Sequence, residues 1–156
     1  MNKRQRKKVL VRKIERELGV KIKYSHGIFD LYSSEPWKEL FCVCGVYRKH
    51  RFVVVSYNGH PNAYVEAANP YRFDINYSDN NDEGIYINCH GGISFSGTRQ
   101  YRHGGKTTTF KGIGWDYSHW GDFCPYSNWS SGTTRYKINE ICSECVDVIN
   151  QIIKGE

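Results

Sequence analysis

Two short segments concentrate the side chains able to do chemistry. The first is Cys89-His90-Gly91-Gly92-Ile93-Ser94, followed by Ser96. The second is Gly114-Trp115-Asp116-Tyr117-Ser118-His119-Trp120-Gly121-Asp122. A neutral imidazole donates from one ring nitrogen and accepts on the other. Paired glycines permit positive φ and let a ligand approach the backbone, and successive N–H groups in such a turn can cradle an anion. In the second segment the spacing D-x-x-H-x-x-D sets two carboxylates around one histidine, and a carboxylate can fix a histidine tautomer. Trp115 and Trp120 offer flat surfaces for a purine or similar ring. The expected ligand-binding set is therefore His90, Gly91, Gly92, Ser94, Trp115, Asp116, His119, Trp120 and Asp122. If the site is catalytic, His90 and His119 form a metal-free acid/base pair, with Asp116 or Asp122 as the orienting group.

Other chemistries fit less well. D-x-x-H-x-x-D is no standard metal spacing, and no metal or cofactor is expected. Cys89 and His90 are adjacent, so on a strand they face opposite sides and cannot form an ion pair. The chain has no G-x-S-x-G elbow, no P-loop and no pair of H-x-[ST] motifs. The purely structural alternatives are a β-bulge or hairpin turn at His90 and, at Asp116–Asp122, a loop held by its own side chains.

These segments need a frame. Residues 3–18 carry Leu10, Ile14 and Leu18 on one stripe beside Val11, with Gly19 as a stop, which predicts an amphipathic helix. Leu40–Tyr47 and Arg51–Tyr57 read as strands joined through Arg48-Lys49-His50, a turn lacking Gly or Asn. Asn58–Asn62 reads as a turn and residues 68–84 as a loop. Ile85–Cys89 and Ile93–Ser96 read as strands, Gly104-Gly105 as a hairpin tip, Thr107–Tyr117 as a strand, and residues 118–134 as a polar loop. Ile138, Ile141, Cys142, Cys145, Val148, Ile149 and Ile152 recur at helical spacing. The expected fold is α+β: a mainly antiparallel sheet with an N-terminal amphipathic helix and a C-terminal helix packed on one face.

The 156 residues suggest one folding unit. Ten of the 22 basic side chains fall within residues 1–23, against only Glu15 and Glu17; the rest of the chain carries twelve basic and fourteen acidic groups. The charge thus divides the chain into a basic N-terminal helical arm, 1–23, and an α+β domain, 24–156. The arm either presents a solvated face or meets nucleic acid or an acidic partner. No apolar run reaches the ~20 residues needed to span a bilayer, and no apolar h-region follows the basic start, so a cytoplasmic protein without membrane contact is expected. In that compartment the six cysteines read as buried thiols; Cys142-x-x-Cys145 is a weak zinc signal on the apolar side of a helix. Asn128-Trp129-Ser130 matches a glycosylation acceptor, which has no role in a cytoplasm.

His60-Pro61, the run His90–Gly97, the run Gly112–Asp122 and the Glu-Cys pair Glu144-Cys145 occur in an order that resembles a family of small bacteriophage and prophage proteins. That family has an H-P turn, an H-G-G-[LI]-[TS]-[FY] segment, a G-[FW]-D-x-x-H-x-G-D segment and a C-terminal helix containing Glu-Cys. The resemblance covers roughly residues 40–153. Against it, Arg48–Tyr57 looks like an insertion, and Trp115 replaces the usual phenylalanine. The resemblance implies a phage context and an infected bacterial host. Three functions are then expected. The first is counter-defence by sequestering a nucleotide-derived immune signal, of cyclic-nucleotide or ADP-ribose type, in a homo-oligomer. The second is cleavage of such a molecule by the His90/His119 pair. The third is nucleic-acid or protein binding through residues 3–23.

Overall fold

The computed structural model describes residues 1–75, 84–127 and 132–155. Helix α1 spans Lys3–Leu18. Asn2 caps it by accepting from the Gln5 N–H while Gln5 reaches back to the Asn2 N–H, both at 2.9 Å, a reciprocal box that satisfies two orphan donors. Gly19 closes it in the left-handed region, its N–H bonding to the Glu15 carbonyl. Six strands follow: β1 (Lys21–Tyr24), β2 (Glu39–Tyr47), β3 (His50–Tyr57), β4 (His60–Glu66), β5 (Phe95–His103) and β6 (Lys106–Asp116). Helix α2 (Ile138–Gly155) ends the chain. All strand pairs are antiparallel, in the order β1-β2-β3-β4-β6-β5. The fold is α+β, as the patterning predicts.

Several elements differ from expectation for identifiable reasons. The β2–β3 turn is made by Arg48 and Lys49, both at positive φ, so a tight turn forms without glycine. The next turn contains only Asn58 and Gly59, again at positive φ. His60, Pro61 and Asn62 therefore open a strand rather than complete a turn. Its alternation is clear: Ala63, Val65 and, just beyond, Ala67 face the helices. Strand β3, within the segment that resembles an insertion, lies in the sheet interior between β2 and β4. Ile85–Cys89 forms no strand beyond a single bridge at Ile85. Its Asn88 backbone is instead paired by the side-chain amide of Gln151, at 2.8 and 2.9 Å. A helix side chain thus satisfies an extended segment that sheet pairing leaves alone. The expected loops at 68–84 and 118–134, and the Asn128–Ser130 acceptor, fall partly or wholly outside the described residues.

The two sheet faces are filled differently. One carries the main core, in which Ile14 of α1 and Ile141, Cys145, Ile149 and Ile152 of α2 meet Val54, Val65, Ile113 and Trp115. Ile14 is fully buried, and β1 pairs with β2, so residues 1–23 are built into the same body as the sheet. The other face holds Phe41, Val53, Val55, Tyr101 and Phe110. Three strands separate β2 from β5 in the sheet, yet Glu39 and Arg99 form an ion pair and the Phe41 and His103 rings stack at 4.4 Å. The sheet therefore curls, and its concave side is packed with its own side chains.

Candidate functional site

The end of β6 carries the second chemical segment. Strand alternation sends Trp115 and Tyr117 into the helix-side core and Asp116 to the concave side. Trp115 is 1% exposed and donates its indole N–H to the Tyr117 hydroxyl at 3.1 Å. With so little surface it offers no open ring face, although it borders an opening on the concave side. Tyr117 donates in turn to Glu144 Oε1 on α2 at 2.7 Å, and the same carboxylate oxygen accepts the His90 N–H at 3.3 Å. Burial, followed by the Glu144 charge, pushes the Tyr117 hydroxyl far above its ordinary range, so it acts as a donor. This chain fixes the His90 turn to α2.

Two histidine–aspartate pairs result. His90 Nε2 lies 2.7 Å from Asp122 Oδ2, and its ring stacks on Tyr117 at 4.7 Å and 12°. Asp122 is 2% exposed, and the same Oδ2 accepts the His119 backbone N–H at 3.0 Å. In the second pair, His119 Nε2 lies 3.1 Å from Asp116 Oδ1, which also accepts the Ser118 N–H at 3.0 Å. The two imidazoles sit edge to face with centroids 5.5 Å apart. The fold thus brings together His90, Asp116, His119 and Asp122.

The backbone donors of His90, Gly92 and Ser94 around the glycine pair are bonded within the fold. A Cβ on Gly91 would lie 2.0 Å from His119 Nε2, and Gly91 has φ +68°. The space above that glycine belongs to the histidine ring. The Gly92 N–H bonds to the Cys89 carbonyl at 3.0 Å, the Ser94 N–H to the Gly114 carbonyl at 2.9 Å, and the His90 N–H to Glu144. With these donors committed and a carboxylate beside them, the expected phosphate position is unfavourable. Trp120 is 87% exposed.

The clefts separate the two histidines. His119 and Asp116 line an opening of about 500 Å³ with Tyr57, His60, Asn62, Tyr64, Ser94, Phe95, Trp115 and Ser118. His90 instead borders a depression with Cys89, Glu144 and Asp147 on the α2 side. The second imidazole of the concave cleft is thus His60, which motif reading had placed in the H-P turn and not in the site. Its 7% exposure lowers its pKa by desolvation. Nδ1 lies 3.2 Å from the Pro61 carbonyl, which can only accept, so that nitrogen carries the proton and Nε2 is the acceptor. Asn62 and Tyr64 alternate with the buried Ala63 and Val65 on β4, a period-2 signal that was present in the sequence. Gly114 makes room for Tyr64, since a Cβ there would lie 2.3 Å from its ring.

Burial raises the Cys42, Cys89 and Cys142 thiols to about 12 and Cys145 well above its ordinary value, which removes them as ready nucleophiles. None of the six cysteines forms a disulfide bond. Among the described residues, no three His, Cys, Asp or Glu side chains converge in a metal-holding arrangement. No helix among the described residues is long and apolar enough to cross a membrane. No protein-family model matches this chain, and no curated protein or solved structure matches it.

Proposed function

We propose that the concave cleft binds the flat, uncharged end of a nucleotide-derived small molecule and hydrolyses a glycosidic bond in it by acid–base chemistry. One observation carries this reading: His60 and His119 line one aromatic cleft, with a carboxylate 3.1 Å from His119. Tyr57 and Phe95 supply apolar surface for a ring, and Asn62 and Ser94 supply hydrogen bonds, while the Tyr64 ring is covered by the Arg99 guanidinium at 4.5 Å. Charge selects the bond. Phosphodiester cleavage gathers negative charge and calls for a free cation, whereas no Lys or Arg is among the described residues lining the cleft and Arg99, over the Tyr64 ring, is paired with Glu39. Glycosidic cleavage passes through an oxocarbenium-like state, whose positive charge Asp116 complements.

In this scheme His60 Nε2 takes a proton from water as the water oxygen bonds to the anomeric carbon. The glycosidic bond breaks with its electron pair passing to the leaving group, which receives a proton from His119. His60 then returns its proton to solvent and His119 is reprotonated. His119 Nε2 is buried beside Asp116 Oδ1, so the transferred proton is carried on Nδ1. His90 acts at a distance, because Asp122 ties it to the His119 backbone. In a phage context the outcome would be removal of a host immune signal.

A second reading, sequestration without cleavage, is favoured by the aromatic walls alone. Incubation with cyclic dinucleotides and ADP-ribose derivatives separates the two. The enzyme reading expects ligand to be consumed at substoichiometric protein, with at least 100-fold loss of rate in His119→Ala and His60→Ala. Stoichiometric release of intact ligand on heating establishes sequestration instead.

A further inference from the structure

Helix α1 carries a charge pattern that its own stability does not explain. Its first turn has no acidic residue, while Lys3, Arg4 and Arg6 crowd the positive end of the helix dipole. Cations there are unfavourable, and the Asn2–Gln5 box offsets the cost. Among the described residues, none of the eight α1 cations forms an ion pair within 4.0 Å. Glu15 is engaged elsewhere, accepting the Ile22 N–H at 3.0 Å.

The helix is nevertheless held firmly. Ile14 is fully buried, Leu10, Val11 and Leu18 pack on the core, and Lys7 Nζ reaches the His26 carbonyl at 3.3 Å. Against this fixed helix lies a groove of about 550 Å³, lined by Arg4, Lys7, Lys8, Val11, Arg12 and Ser25 along with Glu15. Across the helix from the groove, by the 100° step per residue, the half-exposed ring of Phe29 sits under the Arg6 guanidinium, 5.7 Å from the centroid. Arg4, Lys8 and Arg12 follow one another at i, i+4 and i+8, making a row along the helix.

We infer that this groove binds the backbone of a single-stranded nucleic acid. A row of cations along an open groove is the arrangement that tracks a phosphate backbone without reading sequence. A bilayer fits poorly, because the apolar stripe of α1 is turned into the core and leaves only Val9 and Met1 as exposed apolar side chains on this segment. The groove contains no residue of the concave cleft, so the two readings stand or fall separately.

The test uses the full chain and a fluorescent 20-nucleotide single strand, titrated from 50 to 200 mM salt. Binding is expected to weaken with salt by a slope of about −0.7 per phosphate contacted. The combined Arg4→Gln, Lys7→Gln, Lys8→Gln and Arg12→Gln variant should bind at least tenfold more weakly, with a slope shallower by about 2. It should keep its circular dichroism spectrum, and His119→Ala should bind as the parent does. No binding at 50 mM salt, an unchanged slope in the variant, or equally tight binding of polyglutamate or anionic vesicles would overturn the inference.

Discussion

The two histidine–aspartate pairs use the same chemical groups a few ångströms apart, yet the fold gives them opposite positions. His90–Asp122 faces inward: the carboxylate side chain is 3% exposed, the imidazole lies flat on Tyr117, and the same oxygen holds the His119 backbone. His119–Asp116 faces outward, with both side chains about a quarter exposed at 27% and 26%, and opens on the concave cleft. A buried hydrogen-bonded pair is costly to break, because removing one member leaves a desolvated group unpaired. An exposed pair contributes little to stability but remains accessible to a substrate. The inner pair therefore reads as the support of the outer one. Similar composition alone would not separate the two roles.

The largest expected effect tests the inner pair. Asp122→Ala removes the acceptor for both His90 and the His119 N–H and, with two donors left unsatisfied, should cost about 2 to 5 kcal/mol in urea unfolding. Asp116→Ala should change stability by less than about 1 kcal/mol. If the two variants unfold alike, the distinction between support and cleft group fails.

Next comes the contact between the pairs. Gly91→Ala places a methyl group 2.0 Å from His119 Nε2 at a backbone φ of +68°. Strain and overlap together should destabilise the protein by about 2 to 4 kcal/mol, or displace the histidine from the cleft. Equilibrium unfolding combined with the pH titration of the His119 ring protons by NMR reads both outcomes. A stable variant with an unmoved His119 resonance would show that Gly91 is not set by that ring.

The smallest expected effect lies on the outer side. His60 is buried in its neutral form, with its pKa held below the ordinary 6.5. Between these two values the unfolded chain binds a proton that the folded chain refuses. The stability from the neutral ring is thus complete above about pH 6.5 and declines as pH falls toward the folded value. The parent should lose thermal stability over that window, and His60→Gln should lose less. Parallel pH profiles for the two would remove His60 as the buried neutral imidazole of the cleft.

Much of this frame is legible from residue types. The stripe Leu10, Ile14 and Leu18 ending at Gly19, and the heptad-like run from Ile138 to Ile152, fix two helices through local periodicity and capping. Gly104-Gly105 marks a hairpin tip because both residues adopt positive φ. The convergence of His90 with Asp122, and of His119 with Asp116, connects residues that motif reading already singled out. His60 was harder to place, because Asn58–Asn62 carries turn residues throughout and the strand begins inside it. Ile85–Cys89 misled in the opposite sense: its alternation is real, but its pairing partner is the Gln151 side chain.

The sequence by itself determined the two helices, the Gly104-Gly105 hairpin tip, strands β2, β3 and β6 and the inventory of reactive groups, because these depend on contacts between near neighbours. Strands β1 and β4 were not legible in it. Only the tertiary structure decided which imidazole supports and which faces the cleft. That choice rests on the curl of the sheet, on β4 pairing with β6, and on Glu144 reaching Tyr117 from α2. These contacts join residues 27 or more positions apart, and no local pattern encodes them.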